Sequence, residues 1–529
     1  MPKQVRSLRK KDVMNVNLVF SHLSEVTQSV WLVFRAALER YFSTISGILP
    51  EPFFHTQAFL TFFVLVFLVY WSIPRRWAEI RIWVLLVASF HFYAAWSQEL
   101  ALLVTTTTCA DYAFGRLMNL THRRVWRRFW LLLSISMNLG ILCYFKYRGF
   151  FLNELYDILT RLGYDPGYGK LDILSIIIPF GISFYTFEAI SYAVDVYTRK
   201  IEAEKSLPKF LLFILFFPHL VSGPIVRAGD FLRQARRPKR WNWVRIQVGV
   251  QLFLMGAFKK LAIADRMALF CDPVFQNPEN FRTTACWLAV LAYSIRIYCD
   301  FSGYSDMAVG LGHLFGYKLT MNFNMPYLSA NISEFWRRWH ISLSSWLRDY
   351  LFIPLGGSYG SRWQTYRNLM IVMTLGGLWH GAAWGYIIWG IVHGLLLVIH
   401  RWFREVTEGH LRWQNFLRSP AGTLLRISLT FTTVSLCWVL FQPEVSRAWS
   451  MYQQLFTIHT GASLPLHNRS LWYTVLFVLA CHVIVVSGIW SRIYERLPAA
   501  ILGGGYAICA CLAMLLAPGQ GSTFIYFQF

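Results

Sequence analysis

The sequence predicts an all-α protein that crosses a membrane many times, and three observations support this fold class. Of the 529 residues, 56% are hydrophobic and only 15% are charged, whereas soluble proteins carry about 25% charged residues. The mean hydropathy is +0.41. Many apolar runs approach the roughly 20 residues that a helix needs to cross a bilayer. They lack the alternation typical of a membrane β-barrel, and backbone polar groups inside lipid must be paired, so we expect helices.

Twelve apolar segments are candidate transmembrane helices. In chain order they are 58–73, 80–97, 99–117, 129–146, 172–194, 208–225, 247–270, 286–312, 369–400, 422–441, 471–489 and 499–517. The segment 369–400 is long enough for a span followed by a bend. We therefore expect about 11 to 12 transmembrane helices in a single domain that covers residues 53–529.

Residues 1–52 form a distinct N-terminal extension. The stretch Met1–Lys11 is basic and polar, and Leu18–Leu49 has apolar residues at roughly helical spacing. This pattern favours an amphipathic helix at the membrane interface. Met14 offers an alternative start of translation.

Basic residues outnumber acidic residues by 50 to 27, which gives a formal net charge of +23. They are scattered in short loops between apolar runs, which is typical of cytoplasmic loops and argues against a nucleic-acid partner. Loops 74–81 and 120–128 fall on one side by alternation, so we place that side in the cytoplasm. Loop 227–245 carries seven Lys and Arg residues, yet the count of spans puts it outside. We place this loop in the cytoplasm because of its charge. We therefore expect that one membrane segment between 129 and 226 is missed or wrongly counted, and 149–162 is the candidate.

The segment 331–362 is too polar to cross a bilayer. Trp336, Trp339 and Tyr350 belong to a set of apolar residues spaced by three or four positions, which gives a helix one apolar face. The stretch Pro354–Gly357 then ends this helix. We expect it to lie at the interface or to enter the protein as a re-entrant element.

Two histidines in unusual surroundings are the strongest candidates for chemistry. His380 is flanked by Gly377 and Gly381 inside an apolar run, where glycines allow a ligand or another backbone to approach. A neutral imidazole there can accept a proton from an attacking hydroxyl. His340 lies close to two arginines and either contributes to the same chemistry or faces lipid headgroups. The alternative for His380 is a core histidine that only makes a structural hydrogen bond.

Acidic side chains inside the apolar runs need partners. Asp300 and Asp306 bracket a run of hydroxyl-bearing residues, and a buried charge requires a counter-charge. Lys259, Lys260 or Arg337 are the candidates for this counter-charge. A purely structural role of these polar groups is at least as good an interpretation as a catalytic one. Glu188 likewise requires a cation. His219, His393 and His400 are interpreted as structural.

Metal binding is not predicted, because the histidines form no closely spaced boxes and the nine cysteines form no CxxC pair. The aromatic tail Phe524–Phe529 would be an exposed apolar patch unless it packs somewhere. We expect it either to lie in the headgroup belt or to fold back into the protein.

Six motifs together resemble the membrane-bound O-acyltransferases, and within them the bacterial alginate O-acetylase type. The resemblance runs from about Phe53 to Phe529. Its motifs are Pro179–Tyr185, Phe217–Pro224, Phe258–Asp265, Asp300–Asp306, Glu334–His340 and Leu378–Gly381. The chain departs from the family in its extra N-terminal residues and in Cys299, where an aromatic residue is usual.

The resemblance implies a ring of helices around a thinned membrane centre, where two funnels meet near His380. It implies that His380 is the main catalytic residue and that His340 is the second. Related enzymes use a C-terminal tyrosine as an acyl relay, and Tyr526 occupies that position. We expect His380 to deprotonate the incoming hydroxyl, and His340 or the Trp379 N–H to stabilise the oxyanion that develops.

Further expectations concern substrates and partners. We expect Trp379, Arg337, Tyr304 and Ser302 to contact substrate. The resemblance implies a cytoplasmic thioester donor, acetyl-CoA or an acyl carrier, with no permanently bound cofactor. It also implies an extracytoplasmic partner with an esterase-like (SGNH) site, a polysaccharide biosynthesis complex and the bacterial inner membrane. The acceptor is alginate or another glycan, such as cellulose, peptidoglycan or teichoic acid, and a transporter or scaffold without catalysis is the alternative class.

Overall fold

A computed structural model describes residue 54, residues 56–164, residues 167 and 169, and residues 179–518. Within these ranges the chain is helical, and its β-structure is one isolated bridge between Phe281 and Ala462. The predicted all-α class is therefore confirmed. The N-terminal extension 1–52 and the aromatic tail 524–529 lie outside the described residues.

The first five helices include one long continuous run. They are α1 Gln57–Ser72, α2 Ala78–Ala94, α3 Gln98–Leu120, α4 Arg124–Leu142 and α5 Arg148–Arg161. A π-helical segment, Cys143–Tyr147, joins α4 to α5, so that Arg124–Arg161 is one run of 38 residues. The suspected segment 149–162 thus extends the span before it. The α1–α2 pair is bent by 111°.

The next helices are shorter and more often interrupted. They are α6 Ile182–Tyr197, α7 Leu207–Leu215, α8 Phe217–Leu220, α9 Ala228–Ala235, α10 Trp243–Phe258 and α11 Asp265–Gln276. A second π-helical segment, Lys259–Ala264, joins α10 to α11. The predicted span 208–225 is broken at Phe216, because Pro218 would clash with the carbonyl four residues earlier in a continuous helix.

The middle of the chain forms five helices. They are α12 Thr283–Leu314, α13 Ile332–Arg338, α14 Ile341–Leu347, α15 Arg362–His380 and α16 Trp384–Thr407. The prediction of one amphipathic helix across 331–362 is wrong, because the backbone of His340 is left-handed (φ 43°) and separates α13 from α14. A third π-helical segment, Arg348–Phe352, follows α14. The expected bend in 369–400 is confirmed between α15 and α16.

The last six helices complete the described chain. They are α17 Leu411–Arg418, α18 Pro420–Trp438, α19 Val445–Phe456, α20 Asn468–Val486, α21 Ile489–Tyr494 and α22 Ala499–Leu516.

Five helical runs among the described residues are long and apolar enough to cross a membrane by themselves. They are Arg124–Arg161, Trp243–Gln276, Trp384–Thr407, Asn468–Val486 and Ala499–Leu516, and the bent α1–α2 pair makes a sixth if it counts as one span. The larger number expected from the sequence includes α3 and α12. These two helices carry polar side chains that neighbouring helices cover.

Helix α12 lies at the centre of the fold and contacts α10 backbone to backbone. A Cβ on Gly256 would lie 2.4 Å from the carbonyl oxygen of Gly303, and one on Gly303 would lie 2.7 Å from the carbonyl oxygen of Gly256. A second such crossing joins Gly249 to Gly310, at 2.9 Å. Small residues that let helix backbones touch are typical of packing between membrane helices.

The two ends of α12 mark two opposite faces of the molecule. Its 32 residues give a length of about 48 Å. At the N-terminal end, the N–H of Arg282 donates to Ala462 O at 3.1 Å. At the C-terminal end, the indole N–H of Trp71 donates to Leu314 O at 3.1 Å and Arg245 donates to Gly316 O at 2.7 Å.

The basic loops gather at the C-terminal end of α12. Arg81 donates to Lys239 O at 3.1 Å, so loops 74–81 and 227–245 are in contact. Arg127 donates to Tyr197 O at 2.7 Å, and the loop that follows Tyr197 is tied to Arg236 through Glu204 at 2.8 Å. All three basic loops therefore share one face, as their charge predicted.

Candidate active site

The two predicted histidines both lie beside one tryptophan. The ring centroid of Trp379 is 6.0 Å from that of His340 and 5.0 Å from that of His380. The exposed fraction is 0% for His340 and 4% for His380. Residues 40 positions apart in the sequence thus form one buried group.

His380 is placed by a tight helical hairpin. It is the last residue of α15, and a Cβ on Gly377 would lie 2.2 Å from Tyr386 O and 3.0 Å from the Cα of Gly390 on α16. A Cβ on Gly381 would lie 2.3 Å from the ring of Tyr386. The glycines noted in the sequence are therefore required because the two helices touch, which fixes the position of His380 against α16.

His340 is placed by a backbone turn close to the middle of α12. It separates α13 from α14 with φ 43° and ψ 57°, and its ring centroid lies 4.7 Å from that of Phe301. Phe301 follows the start of α12 by 18 residues and precedes its end by 13. At 1.5 Å per residue these positions correspond to about 27 Å and about 20 Å from the two ends. The histidine pair is thus deep between the two faces.

Lys146 contacts the same group and was not identified from the sequence. Its Nζ donates to Trp379 O at 2.7 Å, to His380 O at 3.1 Å and to Ser183 Oγ at 3.2 Å. The side chain is buried, with an exposed fraction of 9%. The only signal in the sequence was a lysine near the end of an apolar run, where a lysine commonly reaches the headgroups.

Further aromatic rings lie next to His380. The ring of His380 lies 5.2 Å from the ring of Trp389 and 5.2 Å from that of Phe441. Trp389 in turn lies 4.6 Å from His393. The indole N–H of Trp389 is buried and has no hydrogen-bond partner among the described residues. An indole nitrogen donates but does not accept, so this group is available to a substrate oxygen.

Three comparisons show what this chain is similar to. A sequence profile of the membrane-bound O-acyltransferase family (MBOAT) matches residues 198–421. The probable alginate O-acetylase AlgI of Pseudomonas aeruginosa is 42% identical over 425 residues, 79% of this chain and 77% of the relative. That of Azotobacter vinelandii is 40% identical over 445 residues, 82% and 85% of the two chains. The chain belongs to the membrane-bound O-acyltransferase family. The predicted family and the predicted enzyme class, an O-acyltransferase, are confirmed.

The family also contains relatives named for another acceptor. The peptidoglycan O-acetyltransferase of Helicobacter pylori is 35% identical over 421 residues, 74% of this acyltransferase and 77% of the relative. The chain is therefore a multi-pass membrane O-acyltransferase with relatives named for two different glycans.

The carboxylates of this acyltransferase have the partners that the sequence offered. Lys260 pairs with Asp300 at 2.7 Å and with Asp265 at 2.8 Å, and Lys259 pairs with Asp306 at 2.6 Å. The pairs with Asp300 and Asp306 tie the second π-helical segment to α12, and the pair with Asp265 ties it to the start of α11. Two of the three predicted partners, the lysines, are thus confirmed, and their described contacts are structural.

Glu188 and His219 form a separate buried pair. His219 Nε2 lies 3.3 Å from Glu188 Oε2, and the N–H of Val226 donates to Glu188 Oε1 at 2.8 Å. Glu188 was predicted to require a cation, and its described partners are an imidazole and a backbone N–H. The pair joins α6 to the segment around α8, which agrees with a structural role for His219.

The other residues expected to contact substrate have different surroundings. The indole N–H of Trp379 donates to Ser183 O at 3.4 Å, so it is engaged within the protein. Arg337 is exposed and donates to Ser333 Oγ at 3.2 Å. Tyr304 is buried and stacks on Phe54, with ring centroids 4.5 Å apart. Two further positions complete the set: Ser302 is fully buried on α12 next to Phe301, and Tyr526 lies outside the described residues.

Proposed function

We propose that this acyltransferase moves an acetyl group from a cytoplasmic thioester across the bacterial inner membrane, for O-acetylation of an extracytoplasmic polysaccharide such as alginate. The observation that carries the proposal is the buried pair of imidazoles beside Trp379, deep between the ends of α12. At that depth a donor from one face and an acceptor from the other can meet.

His380 is the general base of the proposed reaction. A hydroxyl attacks the thioester carbonyl while the imidazole of His380 takes its proton. The tetrahedral oxyanion then collapses, the C–S bond breaks, and the thiolate leaves and takes the proton from the imidazolium. A thiol has a pKa of about 8.5, so its departure needs little help, and deprotonation of the hydroxyl is the demanding step.

His340 is proposed to stabilise the oxyanion. Its ring centroid lies 6.0 Å from that of Trp379, the neighbour of His380, whereas the indole N–H of Trp379 is already engaged by Ser183. The buried indole N–H of Trp389, whose ring lies 5.2 Å from that of His380, is a second donor. Donors fixed in a water-poor site stabilise developing charge at little cost of reorganisation.

An acyl relay solves the problem of distance. The hydrocarbon layer is about 30 Å thick, and no single side chain carries an acetyl group that far. We propose that Tyr526 receives the acetyl group as a phenyl ester and passes it on. The recipient would be an extracytoplasmic partner with an esterase-like (SGNH) site inside a polysaccharide biosynthesis complex.

The donor, its side of entry and the acceptor complete the proposed scheme. The donor is proposed to be acetyl-CoA or an acyl-carrier thioester, which enters from the face that bears the basic loops, with no resident cofactor. The alginate relatives support alginate as the acceptor, and the Helicobacter pylori relative supports peptidoglycan as the second candidate.

The role of His380 is tested by His380→Ala in purified protein incubated with radiolabelled acetyl-CoA and an acceptor. We expect the release of thiol and the transfer of acetyl to fall by about 10²–10⁴-fold, since a well-placed base contributes that much. His400→Ala, on α16 of the same hairpin, is the matched control and should keep wild-type activity. Wild-type turnover by His380→Ala would reject the assignment.

The relay is tested by trapping the enzyme during turnover and analysing its C-terminal peptide by mass spectrometry. We expect an acetyl adduct on Tyr526 in the wild type and none in Tyr526→Phe. If the wild-type peptide stays unmodified under conditions in which thiol is released, the relay is excluded.

A further inference from the structure

We propose that Lys146 is a positioning residue that holds the His380 imidazole in place for proton transfer by capping the end of α15 from another helix. This inference rests on the proposed role of His380. Lys146 itself does not transfer the proton.

Lys146 and its neighbour close the end of α15. The last carbonyls of a helix have no partner within the helix, and in an apolar interior they need one. The Tyr147 hydroxyl donates to Leu378 O at 3.1 Å, and Lys146 donates to the two carbonyls that follow at 2.7 Å and 3.1 Å. Two adjacent side chains therefore satisfy three consecutive carbonyls, the last of which belongs to His380.

The end of α15 depends on this external cap. Helices commonly end with a left-handed glycine that closes the last turn. Gly381 instead leaves α15 in an extended conformation, with φ −163° and ψ 149°. The positive charge of Lys146 also suits a helix C-terminus, where the backbone dipole places partial negative charge.

The cap connects three parts of the site in one ring of contacts. Lys146 donates to Ser183 Oγ at 3.2 Å, and Trp379 donates to Ser183 O at 3.4 Å. The ammonium also lies 5.8 Å from the centre of the Trp379 ring. Loss of Lys146 would therefore release the backbone of His380 and its anchor on α6 together.

The three contacts of Lys146 account for its three N–H donors. No donor is left for a substrate, so its contribution passes through His380 and Trp379. Its described partners are all neutral oxygen atoms, in contrast to Lys260, which lies between two carboxylates. Lys146 therefore serves the end of one helix, whereas Lys260 neutralises buried acidic groups.

The π-helical segment provides the geometry of the cap. Lys146 and Tyr147 are its last two residues, and both reach α15. A π-turn carries one residue more than an α-turn, and such turns often occur at functional sites.

The test compares Lys146→Met, Lys146→Arg and the control Lys200→Met, which removes an exposed lysine that pairs with Asp195. Turnover of radiolabelled acetyl-CoA is measured in each purified variant. We expect kcat of Lys146→Met to fall by about 10²-fold, since a displacement of about 1 Å costs that much, with KM within about twofold of the wild type. Lys146→Arg should recover most of kcat, and Lys200→Met should match the wild type.

Combination with His380→Ala distinguishes positioning from general support of the fold. If Lys146 acts through His380, Lys146→Met lowers the residual rate of His380→Ala by less than about twofold, because the effects of residues that act as a unit are not additive. An equal loss in both backgrounds would overturn the proposal. If Lys146→Met cannot be purified, Lys146→Gln, which keeps hydrogen-bond donors without the charge, is subjected to the same comparison.

The outcomes separate the two proposals. Wild-type kcat in Lys146→Met beside an inactive His380→Ala would overturn the role of Lys146 and leave that of His380 intact. Full activity of His380→Ala would overturn the proposed base, and this inference with it.

Discussion

His340 combines a fully buried ring with a backbone conformation that few side chains adopt. A left-handed conformation costs an L-residue about 1–2 kcal/mol relative to the right-handed one. It persists only where the surroundings determine it, which is common at functional sites. At His340 the turn places the imidazole close to Phe301 and Trp379. The same surroundings that hold the left-handed backbone of His340 therefore also fix the position of its ring.

The pair His340→Gly and His340→Ala separates the backbone from the ring. Both variants remove the imidazole, and we expect both to lower kcat by about 10²–10³-fold, as for loss of an oxyanion donor. Glycine accepts a left-handed conformation and alanine does not, so His340→Gly should be the more stable by about 1 kcal/mol. Thermal unfolding in detergent and acetyl transfer measure the two effects. Near-wild-type kcat in either variant would contradict a catalytic role of the ring.

The sequence identified those residues whose chemistry is unusual for their surroundings. His340, His380 and the lysines beside α12 stand out because charge and imidazole are costly inside apolar runs. Lys146 did not stand out in the sequence, because its partners on α15 are more than 230 positions away. Trp389 did not stand out either, because an aromatic residue in an apolar run gives no indication of function until the structure shows that its N–H is buried.

At the level of elements, the hairpin of α15 and α16 is the most constrained part of the site. Gly377 and Gly390 face each other, and a Cβ on either would lie 3.0 Å from the Cα of the other. The neighbouring Gly376 is different, because its Cβ would meet only the side-chain tip of Leu347, at 3.3 Å. Adjacent glycines thus have unequal roles, and this hairpin supplies a matched pair of substitutions.

Gly377→Ala should separate the two helices and displace His380. We expect a loss of about 1–3 kcal/mol in stability, as for other overpacked sites, and a decrease in kcat of about 10- to 100-fold. Gly376→Ala is the control, since a flexible leucine can move aside. Thermal unfolding and thiol release are measured for both, and equal stability of the two variants would show that the helices can separate without cost.

The sequence predicted helices better than their interruptions. Apolar spacing continues across Trp339–His340, so periodicity alone gave one helix where the structure has two. The three π-helical segments were not predicted either, because an extra residue in one turn leaves composition and spacing almost unchanged. Each of these segments nevertheless carries a charged side chain with a described partner: Lys146, Lys260 and Asp349.

At the level of the whole molecule, α12 separates a strongly basic face from a second face formed by residues 277–283 and 457–462. Contacts of Arg81, Arg127 and Arg236 bring three basic loops together at one end. Lys and Arg accumulate in cytoplasmic loops. We therefore propose that the basic face lies in the cytoplasm and the second face outside.

Labelling with a membrane-impermeant maleimide tests this orientation. Arg237 and Thr460 are exposed on the two faces, so Arg237→Cys should react only after permeabilisation, and Thr460→Cys should react in intact spheroplasts. The parent chain, with its own cysteines, gives the background. Equal labelling of Arg237→Cys before and after permeabilisation would contradict the cytoplasmic location of the basic face.

The depth of the imidazoles has a consequence for inhibitor design. From the basic end of α12 to the level of Phe301 the distance along the helix is about 20 Å. Under the proposed orientation, an inhibitor that engages both rings from the basic face must therefore be extended over about that length and carry a hydrogen-bonding tip.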